Sequence, residues 1–254
     1  FLSNLQSLPT ESDPTAGRTT AVPMNNATVD IPARVDKNHT SSVSGGLRVY
    51  RTMETDDAPS SRMEFEKVQL NAHALTGVAY ATEQLLSRSP ISFVALLDSG
   101  FKDEFGAKLL KEKLFGTGTG EYEGVVNSPC VVSVAKESGQ AASTLVYDNI
   151  IKMRARVWRY SSAIWLANHD TLPQLMRMSV SVGTGGSAMI WQPSARDGEP
   201  DILLGRPIYF IEFCKTLGTT GDIICSNWSQ YLEGTLTPIQ SAESLHVRFL
   251  QHER

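Results

Sequence analysis

One long amphipathic pattern constrains this chain more than any other feature. Large apolar residues recur every four positions, close to the helical repeat. They are Phe93, Leu97, Phe101, Phe105 and Leu109, joined by Val94 and Leu110. Ser89 suits an N-cap, Pro90 suits the first helical position and Gly116 lies where a helix would end. The pattern therefore predicts a single helix over residues 89–115, about 39 Å long.

The stretch GTGTGEYEG, residues 116–124, follows this helix. Glycine-rich loops often hold phosphates where a helix begins. This loop instead follows a helix C-terminus, where the macrodipole is negative, and it carries Glu121 and Glu123, so a phosphate would be repelled. The chain also has no GxxxxGK[ST] motif. We therefore predict a sharp chain reversal here and no nucleotide site.

Composition indicates a folded protein with a sizeable core. The 254 residues are 41% hydrophobic, enough for one large domain or two modest ones. The net charge of -4 gives no basic signature, and no local basic patch is evident, so the sequence shows no nucleic-acid footprint. The apolar runs are far shorter than the roughly 20 residues of a membrane span, and residues 1–18 do not resemble a secretory signal.

The first 70 residues predict an arm and a hairpin. Residues 1–42 are rich in Ser, Thr, Pro and Asn, which favours an extended arm. Residues 44–70 contain two partly alternating runs around a cluster of turn formers at 55–61, which indicates a long hairpin. Because two-stranded ribbons are marginal alone, two interpretations stay open. The hairpin is either a solvated surface feature, which composition favours, or an arm that lies on a neighbouring subunit.

Residues 125–235 predict mixed α/β structure. The run TLVYDNIIKMRARVWRY indicates a helix, SAIWLAN a short apolar strand and TLPQLMRM a second helix. The pieces GSAMIW, DILLGRPIYFIE and GDIICSNWSQYLEG indicate strands separated by Gly and Pro turns.

No catalytic or metal-binding motif emerges from the sequence. Cys130, Cys214 and Cys225 are too widely spaced for a metal knuckle or a disulfide framework, so we predict buried free thiols. The triplet Asn168-His169-Asp170 follows a strand and precedes a helix, where Asn168 or Asp170 more often serves as a cap. A hydrolase that uses Cys130 or His169 stays a minor alternative.

Five segments carry a family resemblance through their order along the chain. They are FEKVQLNAHALTGVAYATEQLLSRS (65–89), LFGTGTGEYEGVV (114–126), SAIWLANHDTLPQLMRM (162–178), SAMIWQPSARDGEPDILLGRPIYFIE (187–212) and GDIICSNWSQYLEG (221–234). In this order they resemble the major capsid proteins of tailed bacteriophages, the Hong Kong 97-type family. The resemblance covers about residues 44–250.

The resemblance implies an α+β Hong Kong 97-type capsid fold with five parts. They are an N-terminal arm (1–42), an extended hairpin loop (43–71), a peripheral domain (72–124) with the spine helix 89–115, an axial α/β domain (125–215) and a return to the peripheral domain (216–254). The resemblance also favours the second interpretation of the hairpin over the first, so we expect the hairpin to contact a neighbouring subunit. Because the chain stops at Arg254, we expect the last peripheral strands to be missing from it.

The function that the resemblance implies is structural. We expect the chain to assemble, in the host cytoplasm, into an icosahedral phage head of hexamers and pentamers, with no active site, cofactor or metal. The expected partners are further copies of the chain, double-stranded DNA through weak non-specific contacts, and scaffolding, portal or decoration proteins. No membrane is involved. A related shell that encloses an enzyme cargo, such as an encapsulin, is the main alternative.

The resemblance also implies that the loop supplies the subunit contact. The expected contact residues are Arg48, Arg51, Glu54, Asp56, Asp57 and Arg62. Some relatives are covalently cross-linked through a lysine on this loop. Since residues 52–62 contain no lysine, we expect non-covalent locking.

Overall fold

The computed structural model describes residues 13–34, 42, 44–54, 57, 59–79, 93–182, 186–194 and 199–237. The α-helices in this part of the chain are α1 (Phe93–Phe115), α2 (Tyr147–Arg156) and α3 (Leu172–Arg177). The strands are β1 (Thr20–Pro23), β2 (Thr28–Arg34), β3 (Phe65–Asn71), β4 (Ile164–Ala167), β5 (Ser179–Val182), β6 (Gly186–Met189), β7 (Trp191–Gln192), β8 (Asp201–Leu203), β9 (Arg206–Phe210), β10 (Ile223–Ser226) and β11 (Leu232–Thr235). This mixed content confirms the predicted α+β class.

The chain divides into two compact units. The first comprises residues 1–20 and 75–232, and the second comprises residues 21–74 and 233–254. Among the described residues, no helix is both long enough and apolar enough to cross a membrane.

A five-stranded mixed sheet forms the centre of the first unit. Its strand order is β10-β4-β9-β8-β7, with β4 parallel to β9 and antiparallel to β10. The strands predicted from SAIWLAN, DILLGRPIYFIE and GDIICSNWSQYLEG all belong to it. Because β10 pairs with β4, the sheet continues past residue 215, where the sequence suggested a domain boundary.

Every residue of β4 is buried, since hydrophobic clusters cover both faces of the sheet. Trp165 and Ala167 belong to a cluster that includes Ile150 of α2 and Leu175 of α3. Their neighbours Ile164 and Leu166 belong to the other cluster, which also includes Leu110 and Leu114 of α1, Ile224 and Trp228. The alternation of side chains along β4 therefore joins the C-terminal end of α1 to the sheet.

Helix α1 confirms the predicted long helix over Phe93–Phe115; residues 89–92 lie outside the described residues. Its burial is uneven. Within the four-residue row, Leu97, Phe101, Phe105 and Leu109 are only half-buried. Leu114, which is not in that row, is fully buried. The helix is thus anchored mainly through its last turn.

Gly100 and Gly106 lie inside α1 and offer a stability test. A Cβ added at either position would meet no heavy atom within 4 Å. Glycine costs roughly 0.5–1 kcal/mol relative to alanine inside a helix. Gly100→Ala and Gly106→Ala should therefore each raise the free energy of unfolding by about that amount, measured by urea denaturation. A lower free energy of unfolding for both variants would contradict this description of α1.

The second unit corrects the pairing predicted for residues 44–70. Strand β3 is antiparallel to β2 and not to the preceding run, with Val29 opposite Leu70 and Ile31 opposite Val68. The reason is the strict alternation in TVDIPAR, which gives β2 an apolar face that matches the apolar positions of β3. The arm predicted for residues 1–42 is therefore partly a paired strand.

Candidate assembly surface

The described residues between Ser44 and Glu64 belong to a loop whose two ends meet. The N–H of Glu64 donates to the carbonyl of Gly45 at 2.9 Å. The Ser61 hydroxyl accepts from the Arg48 N–H at 3.0 Å and donates to the Arg48 carbonyl at 3.1 Å. These bonds close the base of the loop.

Large apolar side chains are exposed on this loop. Val49 is 95% exposed and Met53 is 80% exposed, and Leu47 and Tyr50 are also exposed. Burying such side chains is normally favourable by about 1.5–3 kcal/mol each, so a cluster of exposed ones indicates a binding surface. We call residues 47–54 together with Arg62 the loop surface.

Charges of both signs lie among these apolar residues. Of the predicted contact residues, Arg48, Arg51, Glu54, Asp57 and Arg62 are exposed, and Asp56 lies outside the described residues. The sequence prediction selected only the charged residues and treated the apolar ones as too few for a core. Val49 and Met53 are exposed, and neither belongs to a strand in the part of the chain that the structure describes.

The β2–β3 ribbon beside the loop has one polar and one apolar face. On the polar face, the Lys67 ammonium lies 2.7 Å from the Asp30 carboxylate. The register places Val29, Ile31, Ala33, Val68 and Leu70 on the other face, where Glu66 opposite Ala33 is the charged exception. Val68 stays 36% exposed on it. The apolar face of the ribbon is thus only partly covered.

The glycine loop after α1 is a helix cap. Five successive carbonyls at the end of α1 accept hydrogen bonds. The backbone N–H groups of Gly116, Val125 and Val126 donate to the carbonyls of residues 112, 113 and 114, in that order. The side-chain amide of Asn127 donates to the carbonyls of Phe115 and Gly116. Carbonyls at a helix C-terminus otherwise lack protein partners. The loop therefore folds back to satisfy the helix end, as a chain reversal requires.

The glycines of this loop are there for close backbone packing. A Cβ on Gly116 would lie 2.0 Å from the Tyr122 carbonyl oxygen, and one on Gly124 would lie 2.5 Å from the Gly116 nitrogen. Gly118 and Gly120 both have φ of 76°, in the left-handed region that favours glycine. Hydrogen bonds from the backbone N–H and the hydroxyl of Thr117 lower the pKa of Glu121, which keeps a negative charge in the loop.

Comparison with known proteins decides the family. A family model described as the phage capsid family matches residues 1–252. The chain belongs to the phage capsid family. It is a structural shell protein of a phage head, and its location is the virion capsid. The alternatives of a cargo-enclosing shell and a hydrolase are not favoured.

Solved structures share the fold of this capsid protein at low sequence identity. The structures described as capsids of native and empty GTA particles computed with C5 symmetry have TM-scores of 0.62 and 0.67, both at 16% identity. The matches cover 83% and 90% of this chain, and 72% and 78% of those chains. A structure of Mycobacterium phage Cain has a TM-score of 0.56 at 15% identity, covering 88% of this chain and 70% of that one. The comparison with curated proteins gives no match.

His169, which the hydrolase alternative would use, and its neighbour Asn168 make structural contacts in this capsid protein. Asn168 caps the turn His169–Thr171, accepting from the Asp170 N–H at 3.0 Å and donating to the Cys214 carbonyl at 2.6 Å. The His169 ring lies 5.9 Å from that of Phe210. Asn168 is therefore the cap that the sequence suggested.

The cysteines differ in exposure, which yields a reactivity test. Burial raises the pKa of both Cys214 and Cys225 to about 12. Cys214 is buried, but Cys225 is only half-buried and Cys130 is exposed, contrary to the prediction that all three are buried. Since the thiolate is the reactive form, an alkylating reagent at about pH 8 should modify Cys130 quickly and the other two only after unfolding. Mass spectrometry of the native Cys130→Ser variant checks this. Rapid labelling of that variant would contradict the described burial.

Proposed function

We propose that the loop surface locks each subunit of the phage shell onto a neighbouring copy without a covalent bond. The observation that carries the proposal is the exposure of Val49 and Met53 on this loop. Placing both side chains in an interface would favour association by a few kcal/mol per contact. Repetition around a closed shell multiplies this small gain.

Charged residues add specificity to this contact. Arg48, Arg51 and Arg62 supply positive charge, and Glu54 and Asp57, together with Asp56, supply negative charge. Exposed ion pairs contribute only about 0–1 kcal/mol each and are screened by salt. Assembly should consequently weaken as the salt concentration rises.

The domain roles follow the same proposal. Each part of the chain keeps the role that the family resemblance implies. The parts are the arm (1–42), the loop (43–71), the peripheral domain (72–124), the axial domain (125–215) and the return segment (216–254). The closed shell would consist of hexamers and pentamers that enclose double-stranded DNA and catalyse no reaction. The capped end of α1 and the fully buried strand β4 are consistent with a subunit that acts as a rigid building block.

A pair of substitutions tests the apolar part of the contact. Val49→Ser combined with Met53→Ser should raise the protein concentration needed for particle formation at least about tenfold, since each tenfold corresponds to 1.4 kcal/mol. The free energy of unfolding should stay unchanged because both side chains face solvent in the subunit. Sedimentation velocity and urea denaturation measure the two quantities.

The control carries the same kind of change elsewhere. Val131→Ser combined with Val132→Ser removes two side chains that are 45% and 57% exposed in the first unit. This control should assemble like the unchanged protein. Normal assembly of the Val49→Ser, Met53→Ser variant, or an equal defect in the control, would contradict a specific role for the loop surface.

A further inference from the structure

An arginine-lined pocket lies in the first unit, assembled from parts of the chain that are far apart in sequence. The open cavity has a volume of about 300 Å³. Its polar lining consists of Arg18, Ser161, Ser162, Arg206, Asn227 and Ser229. The lining thus includes two arginines and three serines, and none of the residues that line it is acidic.

The surroundings of the pocket hold this lining in place. The Arg18 guanidinium donates to the Tyr209 hydroxyl at 3.3 Å. Tyr160, which precedes Ser161, donates to the carbonyl of Leu204 at 3.1 Å and accepts from the Trp165 indole at 3.1 Å. The turn that carries both serines is therefore tied to the sheet.

Two further arginines lie close to the aromatic residues that precede Ser161 in the chain. The Arg154 guanidinium lies 4.8 Å from the centre of the Tyr160 ring, and that of Arg159 lies 4.4 Å from the ring of exposed Trp158. Burial raises the pKa of Tyr160, and the charges of Arg154 and Arg206 partly oppose this. Arg154 and Arg206 are thus both close enough to lower the pKa of the Tyr160 hydroxyl.

The described residues supply few partners for this positive charge. In the part of the chain that the structure describes, no carboxylate forms an ion pair with Arg18, Arg154 or Arg206. The whole chain nevertheless has a net charge of -4. Uncompensated arginines in a cleft attract anions from solution.

We propose that this pocket binds phosphate oxyanions. The guanidinium fork matches the oxygen geometry of phosphate, and serine hydroxyls add donors to the remaining oxygens. The phosphate can come from the phosphodiester backbone of a nucleic acid or from free phosphate. The nucleic-acid source rests on the proposed function, because a shell that encloses DNA holds it at high local concentration; the free-phosphate source does not.

The test uses the full chain with Arg18→Gln and Arg206→Gln combined. A matched control, Lys136→Gln with Arg177→Gln, removes two exposed positive charges from the same unit. Binding of a labelled duplex of about 20 base pairs is followed by fluorescence anisotropy across a salt series, and binding of inorganic phosphate by calorimetry. The pocket variant should bind duplex about tenfold more weakly, with a salt slope smaller by about 2, and the control should change by less than about twofold.

The two binding measurements distinguish the sources of the phosphate. Loss of duplex binding supports the nucleic-acid backbone as ligand, and loss of inorganic phosphate binding with unchanged duplex binding supports a free-phosphate site. Unchanged binding of both probes overturns the proposal. Failure of the pocket variant to form particles, with both affinities unchanged, also overturns it, because the pocket would then hold a carboxylate of a second copy. Particle formation by the unchanged protein is scored separately, so failure of the shell proposal is recognised independently.

Discussion

Replacing Gly116 by alanine should prevent the subunit from folding stably. The added methyl group would lie 2.0 Å from the Tyr122 carbonyl oxygen and 2.6 Å from that of Glu112, and both are backbone atoms with little freedom to move. The substitution therefore opens the cap that satisfies the end of α1, next to the buried Leu114. We expect the free energy of unfolding to fall by more than about 3 kcal/mol, a large share of a typical domain's stability.

Gly120→Ala is the matched control for this prediction. Gly120 has φ of 76° but an added Cβ there would meet no heavy atom within 4 Å. It should cost about 1–2 kcal/mol for the left-handed conformation alone. Urea denaturation of both variants measures the difference. If Gly116→Ala costs no more than Gly120→Ala, the close packing described for this loop is wrong.

Deleting residues 48–64 should leave a folded subunit that forms no closed particles. The deletion joins Leu47 to Phe65, and the two ends of the loop already meet, because a Cβ on Gly46 would lie 2.9 Å from the Arg62 carbonyl oxygen. It spares β2, β3 and all of the first unit. The exposed apolar and charged residues of the loop surface are lost, and with them the proposed contact with the neighbouring copy.

A second variant separates the chemistry of the loop from its length. It replaces residues 48–64 with a Gly/Ser segment of equal length. Both variants should give the circular dichroism spectrum of a folded chain and sediment as small species, while the unchanged protein forms particles. Intact shells from either variant would show that the loop surface is not required for assembly.

The parts of the fold that depend on local pattern were predictable from sequence. The end signals at Gly116 and the apolar spacing from Phe93 to Leu109 determine α1, because caps and periodicity act over a few residues. The helix polarity and the two glutamates predicted a reversal at residues 116–124. Which apolar residue of α1 is most buried was not predictable, since Leu114 is buried by contacts with a sheet that forms far along the chain.

Pairing between distant segments could not be predicted from the sequence. The run before residue 55 looked like the partner of β3, yet β2 competes successfully because its alternation supplies a better apolar face. The arginine-lined pocket shows the same limit. Arg18 and Arg206 are 188 positions apart in the numbering, so a search for local basic runs had no signal to find.

Cryo-electron microscopy of the assembled particles tests the central claim most directly. A reconstruction at side-chain resolution shows which surface covers residues 47–54. We predict a closed shell in which Val49 and Met53 of each subunit are buried against an adjacent copy, with acidic and basic residues of the loop surface facing opposite charges. A shell in which both side chains remain as exposed as in the single subunit, or a chain that forms no shell at all, would contradict the account.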